Sequence, residues 1–415
     1  MTVRDAMTAR ADDYRFASRR RRRAATAATL IALALSACGG PADDPPAAGA
    51  GPGGPAGSGV TGIRYLADGD SGDGYLRATE PRAFTFPDDH DLHPGFRTEW
   101  WYFTGNVTDA NDRHYGFELT IFRVALVPGL PERTSQLAAN AIRMGHLAIT
   151  DTSRGRFQTA ERLGRETTTA KASGSPITIS VEDFSIVFDG NRARLEAGDI
   201  DFGIDLELTG LDRIVAQGNR GLDAKGPEPG NASHYFSAPR LTVTGSMRSD
   251  GETPVAVTGT AWMDREWSTS ALSPEIEGWD WFSLQLSDQT EIMLFLLRTD
   301  DGSISAASGG TFVDPDGNTR AIGKDEFAVT IDDTWKSPHS RAVYPSRWRL
   351  QVFPYALDLT INPNLADQEM QTFESTGVTY WEGSVSIRGT RDANPIKGLG
   401  YVELTGYADS FDIPM

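Results

Sequence analysis

From about residue 75 onward the chain is written in short runs of β-branched and aromatic residues, many with a polar residue at every second position. The runs YGFELTIFRV, ITISVEDFSIVF, IDLELTG, RLTVTGSM, VAVTGTAWM, IMLFLLR, EFAVTI, RWRLQVF and ALDLTI are separated by turns such as SDG, DDG and PDG. A period of two bounded by Gly, Asp and Asn is the pattern of strands with one apolar face. Helical spacing is scarce. Residues 134–143 carry no clear alternation and read as a short helix or an irregular loop. Many short strands with frequent turns predict an all-β chain built as an antiparallel sandwich or barrel.

The densest run is HPGFRTEWWYFTGNV, residues 93–107. In a strand, alternation sends Trp100 and Tyr102 to one face and Glu99, Trp101 and Phe103 to the other. Rings on both faces suit either a core wall or the lining of a cavity. The run has a fainter echo. WYFTGNVTD (101–109) lines up with DWFSLQLSD (280–288), and each is followed by a second strand ending in arginine, Arg123 and Arg298. Two copies of one hairpin this far apart predict two similar β-units, of roughly 150–190 residues each. The expected domains are 75–265 and 266–415.

The N-terminus follows a different pattern. Arg19 to Arg23 form a basic run, AATAATLIALALSA (24–37) is a short apolar stretch, and Cys38 follows. This order reads as an export signal, residues 1–37, whose Leu35-Ser36-Ala37-Cys38 resembles a bacterial lipobox. Cys38 is then the lipidation site and the membrane contact. It is the one cysteine of the chain, which therefore has no intrachain disulfide to lean on. Residues 38–74, rich in Gly, Pro and Ala in their first part, read as a flexible tether. Gly39 is not the aspartate that retains lipoproteins at the inner membrane, so the expected location is the outer membrane, facing the periplasm. The net charge of −18 disfavours nucleic acid as a partner.

Chemistry-bearing residues gather in few places. In NASHYFSAPRLTVTG (231–245), His234 stands beside Tyr235 and Phe236. In GTAWMDREWSTS (259–270), alternation places Trp262, Asp264 and Glu266 on one side of a strand. A carboxylate beside tryptophan on an inward face is costly to ionise and becomes a candidate general acid. On an outward face the same residues are a solvated edge. His90 and His93 in DDHDLHPG lack a third nearby histidine, so no metal is expected, and His146 reads as a satisfied core or rim residue. Nucleophile elbow, phosphate-binding loop and dinucleotide fingerprint are all missing from the sequence, and no cofactor is expected.

HPGFRTEWWYFTGNV, SHYFSAPRLTVTG, GTAWMDREWS and GWDWFSLQLSD together closely resemble the AttH-like and carotenoid 1,2-hydratase-like family, over roughly residues 80–410. The resemblance implies two tandem lipocalin-like antiparallel β-barrel domains. It extends to enzymes that hydrate isolated double bonds and to members encoded beside ABC-transporter permeases. By motif, the hydratases' histidine and aspartate fall on His234 and Asp264. Glu99, Trp100, Tyr102, Tyr235, Phe236 and Trp262 are the expected lining of an apolar ligand site. In the expected reaction Asp264 protonates an alkene, aromatic faces steady the cation, and His234 orients the water. The other expectation left open is a non-catalytic carrier of an apolar, lipid-like ligand working with an ABC-transporter permease.

Overall fold

The computed structural model describes residues 74–128, 139–166, 176–269 and 272–408. The expected export signal, Cys38 and the tether up to residue 73 lie outside the described residues, as do residues 134–138 of the expected helix or loop. Residues 141–143 belong to a strand.

Among the described residues the first sheet runs through β1 (Thr98–Asp109), β2 (His114–Ala125), β3 (Ala141–Asp151), β4 (Arg156–Glu166), β5 (Ile177–Val181) and β6 (Phe184–Asp189). It continues through β7 (Arg192–Gly198), β8 (Gly203–Thr209), β9 (Val215–Ala216), β10 (Leu222–Ala224), β11 (Ala232–Arg248) and β12 (Val255–Ser268). The second contains β13 (Ile276–Leu286), β14 (Glu291–Thr299), β15 (Gly309–Val313), β16 (Thr319–Gly323) and β17 (Phe327–Lys336). It ends with β18 (Val343–Val352), β19 (Leu357–Pro363), β20 (Glu369–Thr372), β21 (Val378–Arg391) and β22 (Asn394–Leu404).

The two ladders share one plan. Their orders are β4-β3-β2-β1-β12-β11-β8-β7-β6-β5 and β16-β15-β14-β13-β22-β21-β19-β18-β17. Each opens with a four-strand meander, and its first strand also pairs with its last. All pairings are antiparallel, and side chains draw the ends of the first sheet together into a near-closed barrel. Arg143 on β3 donates to the Ser180 carbonyl at 3.0 Å, and Arg162 on β4 donates to the Gly198 carbonyl at 2.9 Å. The fold is thus all-β, two tandem lipocalin-like barrels. The expected border at 265/266 falls inside β12, whose ladder with β1 and β11 continues to Ser268.

The hairpin echo is structural. β1–β2 and β13–β14 occupy equivalent places, and each terminal arginine reaches a carboxylate on the preceding strand: Arg123 to Glu99 at 3.2 Å, Arg298 to Asp280 at 3.0 Å. Phe103 and Phe282, aligned in the repeat, are buried each in its own sheet's core. Tyr102 and Trp281, the aligned residues one place earlier, meet edge-on between the sheets with centroids 5.2 Å apart.

This explains the rings on both faces of β1. Trp101, Phe103 and Val107 fill the first barrel, while Trp100 and Tyr102 face the second sheet. A strand covered on both sides has no polar face to show. Burying a large apolar side chain contributes about 1.5–3 kcal/mol, so the outward rings favour docking of the second sheet. The backbones come close where Gly116 lies: a Cβ there would stand 2.4 Å from the Ser384 Cβ. Polar bonds fix the seam, including Asn106 Nδ2 to the Gly400 carbonyl at 3.1 Å and Thr150 Oγ1 to Gln368 Oε1 at 2.6 Å. His146 places its two ring nitrogens 2.8 Å from the Tyr380 hydroxyl and 2.9 Å from Ser375 Oγ, a satisfied buried residue.

Candidate active site at the seam

Between the two sheets lies a cavity of about 120 Å³. Trp100, Tyr102 and Phe122 come from the opening hairpin of the first sheet, and Trp279, Trp281 and Phe295 from that of the second. An apolar cavity of about 150 Å³ accepts benzene, so this one holds a segment of about five or six carbons.

Asp264 is set into this aromatic wall. It sits on β12 opposite Tyr102 of β1 and Ser237 of β11, so its side chain shares their face. Ser237 Oγ donates to Oδ1 at 2.5 Å and Trp262 Nε1 to the same oxygen at 2.6 Å. Tyr235 donates its hydroxyl to Oδ2 at 2.7 Å and accepts the Trp281 indole N–H at 3.3 Å. Burial pushes the carboxyl up and the three donors pull it down; burial prevails, and the pKa stands at about 7. Oδ1 takes two donors and Oδ2 one, so Oδ2 has the spare lone pair for a proton. A carboxylic acid is thereby available at neutral pH in an apolar pocket.

Next to it, Glu266 is pushed up by burial against the pull of Lys225. The Lys225 ammonium lies 2.6 Å from Asp223 and 3.6 Å from Glu266, with the Phe295 ring 4.5 Å away. It is the one lysine or arginine in the cavity wall among the described residues. The wall formed by the second sheet adds Glu382 and Glu403. Glu382 accepts the Tyr102 hydroxyl at 2.7 Å, and burial together with Glu403 and Glu118 drives its carboxyl well above the usual range.

Of the residues expected to line a ligand site, Trp100, Tyr102 and Tyr235 do so, and Trp262 packs in the same aromatic cluster while holding Asp264. His234, expected at the same site as Asp264, is not on the cavity side. His234 is the neighbour of Tyr235 on β11, and period-two alternation turns it to the opposite face, opposite Trp267. It packs near Phe96 and Trp267, with ring centroids 5.6 and 5.7 Å away. Burial and the nearby Arg82 lower its pKa to about 4, leaving it neutral at pH 7. Phe236 is likewise in the first barrel's core.

Glu99 also differs from expectation. Its carboxylate is committed to Arg265 at 2.5 Å, Arg123 at 3.2 Å and the His93 backbone N–H at 3.0 Å. Arg265 in turn lies 3.9 Å over the Trp101 ring and donates to the Asp91 carbonyl at 2.7 Å. Glu99 therefore ties the entry segment to the barrel; it lines a smaller adjoining chamber and not the main cavity. His90 stacks on Phe188, and His93 stacks on Trp267 beside Asp89.

Lys225, Glu118, Glu382 and Glu403 were not singled out from sequence. The signal was present in the last three. Each is a lone glutamate within an otherwise apolar or small-residue strand: YGFELTIF, TYWEGSV and GYVELTG. A charge in a strand that is covered on both faces has to be paired or protonated.

Fold and cavity together define a class: a double lipocalin-like β-protein with an acid-bearing apolar site at the seam. The chain belongs to the AttH-like family, whose model matches residues 77–407. It is similar to the crystal structure of an AttH protein from Nitrosomonas europaea, at 34% identity and a TM-score of 0.71, covering 80% of this chain and 99% of that one. It shares its fold with kievitone hydratase from Nectria haematococca, at 16% identity and a TM-score of 0.61, covering 82% and 97%. None of the curated proteins matches this chain.

Proposed function

We propose that this AttH-like protein takes an apolar molecule with an isolated carbon–carbon double bond into the seam cavity and adds water to it, with Asp264 as the acid. One observation carries the reading: a buried carboxyl whose pKa is held at about 7, one of whose oxygens accepts only a single hydrogen bond, in a wall of indole and phenyl rings. Protonating an alkene needs a neutral acid, and the cation that results needs aromatic faces instead of water. A desolvated cation over such a ring gains about 2 kcal/mol or more. The cavity volume suits a terminal branched segment, with the rest of the molecule outside. A hydratase shares the fold, but the reading rests on the cavity's own chemistry. The N-terminal signal and Cys38 extend it: the protein works in the periplasm, held by a lipid at the outer membrane.

The test is incubation of the full chain with citronellol, which has one isolated double bond, in water enriched in ¹⁸O. Mass spectrometry is expected to find the tertiary alcohol carrying the label. Asp264→Asn should lower the rate by about 100-fold or more, the usual share of a general acid. Above pH 7 the wild-type rate should fall as Asp264, with its pKa of about 7, ionises, because only the protonated form donates. An intact, unaltered ligand that co-purifies and persists would favour a carrier instead.

A further inference from the structure

The acid step leaves a second set of carboxylates in the cavity without a task. Glu382 on β21 and Glu403 on β22 are direct partners in the antiparallel ladder, and both line the cavity. Like charges placed opposite one another repel, and burial strengthens the repulsion. One proton therefore stays with the pair. Glu382 is the member that keeps it: it is 1% exposed and has buried Glu118 as a further acidic neighbour. Glu403 is only half-buried.

Its position is particular. Glu403 belongs to the wall of the main cavity and also to that of an adjoining chamber of about 50 Å³. Thr98, Glu99, Arg123, His146, Thr376 and Thr405 line that chamber too, with Glu99 and Arg123 paired to one another. It has room for about one or two waters. Burial raises the Glu403 carboxyl, the Trp279 indole N–H lowers it, Asp264 and Glu266 raise it and Lys225 lowers it, for a pKa of about 7. Asp264 stands on the first sheet and Glu403 on the second, and ionisation of the one discourages ionisation of the other.

We propose that Glu403 is the base of this site, taking a proton from the water that captures the cation made by Asp264. The proposal rests on the hydration reading above. In the first step the alkene π pair takes the Asp264 proton, leaving a carbocation and an aspartate. In the second a water lone pair forms the C–O bond while one O–H bond breaks toward Glu403. The sum is alkene plus water to alcohol, and the proton returns from Glu403 to Asp264 through solvent exchange.

Citronellol in D₂O separates the two steps. Reversible protonation puts deuterium into recovered citronellol, and capture gives the diol. Glu403→Gln is expected to slow diol formation by about 100-fold while deuterium still enters the alkene, whereas Asp264→Asn loses both. A Glu403→Gln protein that hydrates within about threefold of wild type, or that loses deuterium entry as well, overturns the base assignment. Failure of the wild type to act on citronellol at all overturns the hydration reading itself. Infrared titration of carboxyl bands needs no substrate. Glu403→Gln should move the Asp264 titration to lower pH, because a negative neighbour is gone, and an unmoved titration also overturns the proposal.

Discussion

Replacing Glu99 by glutamine should destabilise the protein by about 3 kcal/mol at pH 7. Glu99 is 1% exposed, and burial alone would raise its pKa. Arg265, His93 and Arg123 more than offset this and hold the carboxyl at about 2, against 4.5 for an ordinary glutamate. Each unit of such a difference corresponds to about 1.4 kcal/mol. A depressed pKa stabilises the fold fully above the unfolded value, and this contribution disappears as pH falls through the folded one. It is therefore complete at pH 7, falls below half by pH 3 and vanishes below pH 2. Removing one partner of a buried pair costs about 3–5 kcal/mol by a separate route, since Arg265 keeps its charge with less to balance it. Urea unfolding of wild type and Glu99→Gln at both pH values is the assay. With a slope of about 3 kcal/mol per molar, the pH 7 midpoint should drop by about 1 M. Midpoints within about 0.2 M at pH 7, or a gap as wide at pH 3 as at pH 7, would refute this account.

His234→Gln should leave citronellol turnover within about threefold of wild type, since the side chain faces the first barrel and not the cavity; a loss near the general-acid range of 100-fold, read by the same mass assay, would place it in the chemistry after all. Gly116→Ala should cost about 1–3 kcal/mol in thermal or urea unfolding, because its Cβ would stand 2.4 Å from that of Ser384 and the two sheets would have to part. Labelled palmitate should enter the wild-type chain in bacteria and not Cys38→Ala, and equal labelling would remove the lipid anchor from the reading.

The fold was legible because strand alternation and the hairpin echo are local signals that survive in one sequence. Tyr102 against Trp281 and Phe103 against Phe282 kept the repeat visible even where its residues changed. The site was legible in part. Trp262, Asp264 and Glu266 share a face by simple alternation, and the structure agrees. The same rule, applied to His234 and Tyr235, would have separated His234 from the cavity side. That Asp264's strand faces the cavity with this side, and that the strand of Glu403 faces it from the other sheet, depends on pairings between residues more than a hundred positions apart. Alternation tells which residues travel together, not what they meet. Lys225 was hidden for a related reason: the short strand beside it carries no periodicity of its own.

The shared ladder plan of the two sheets makes the site a joint property of both. Its acid comes from one copy and its carboxylate pair from the other, with Tyr102 and Trp281 touching where the copies meet. Neither sheet carries both walls, so either one alone would present an open aromatic face and no enclosed site.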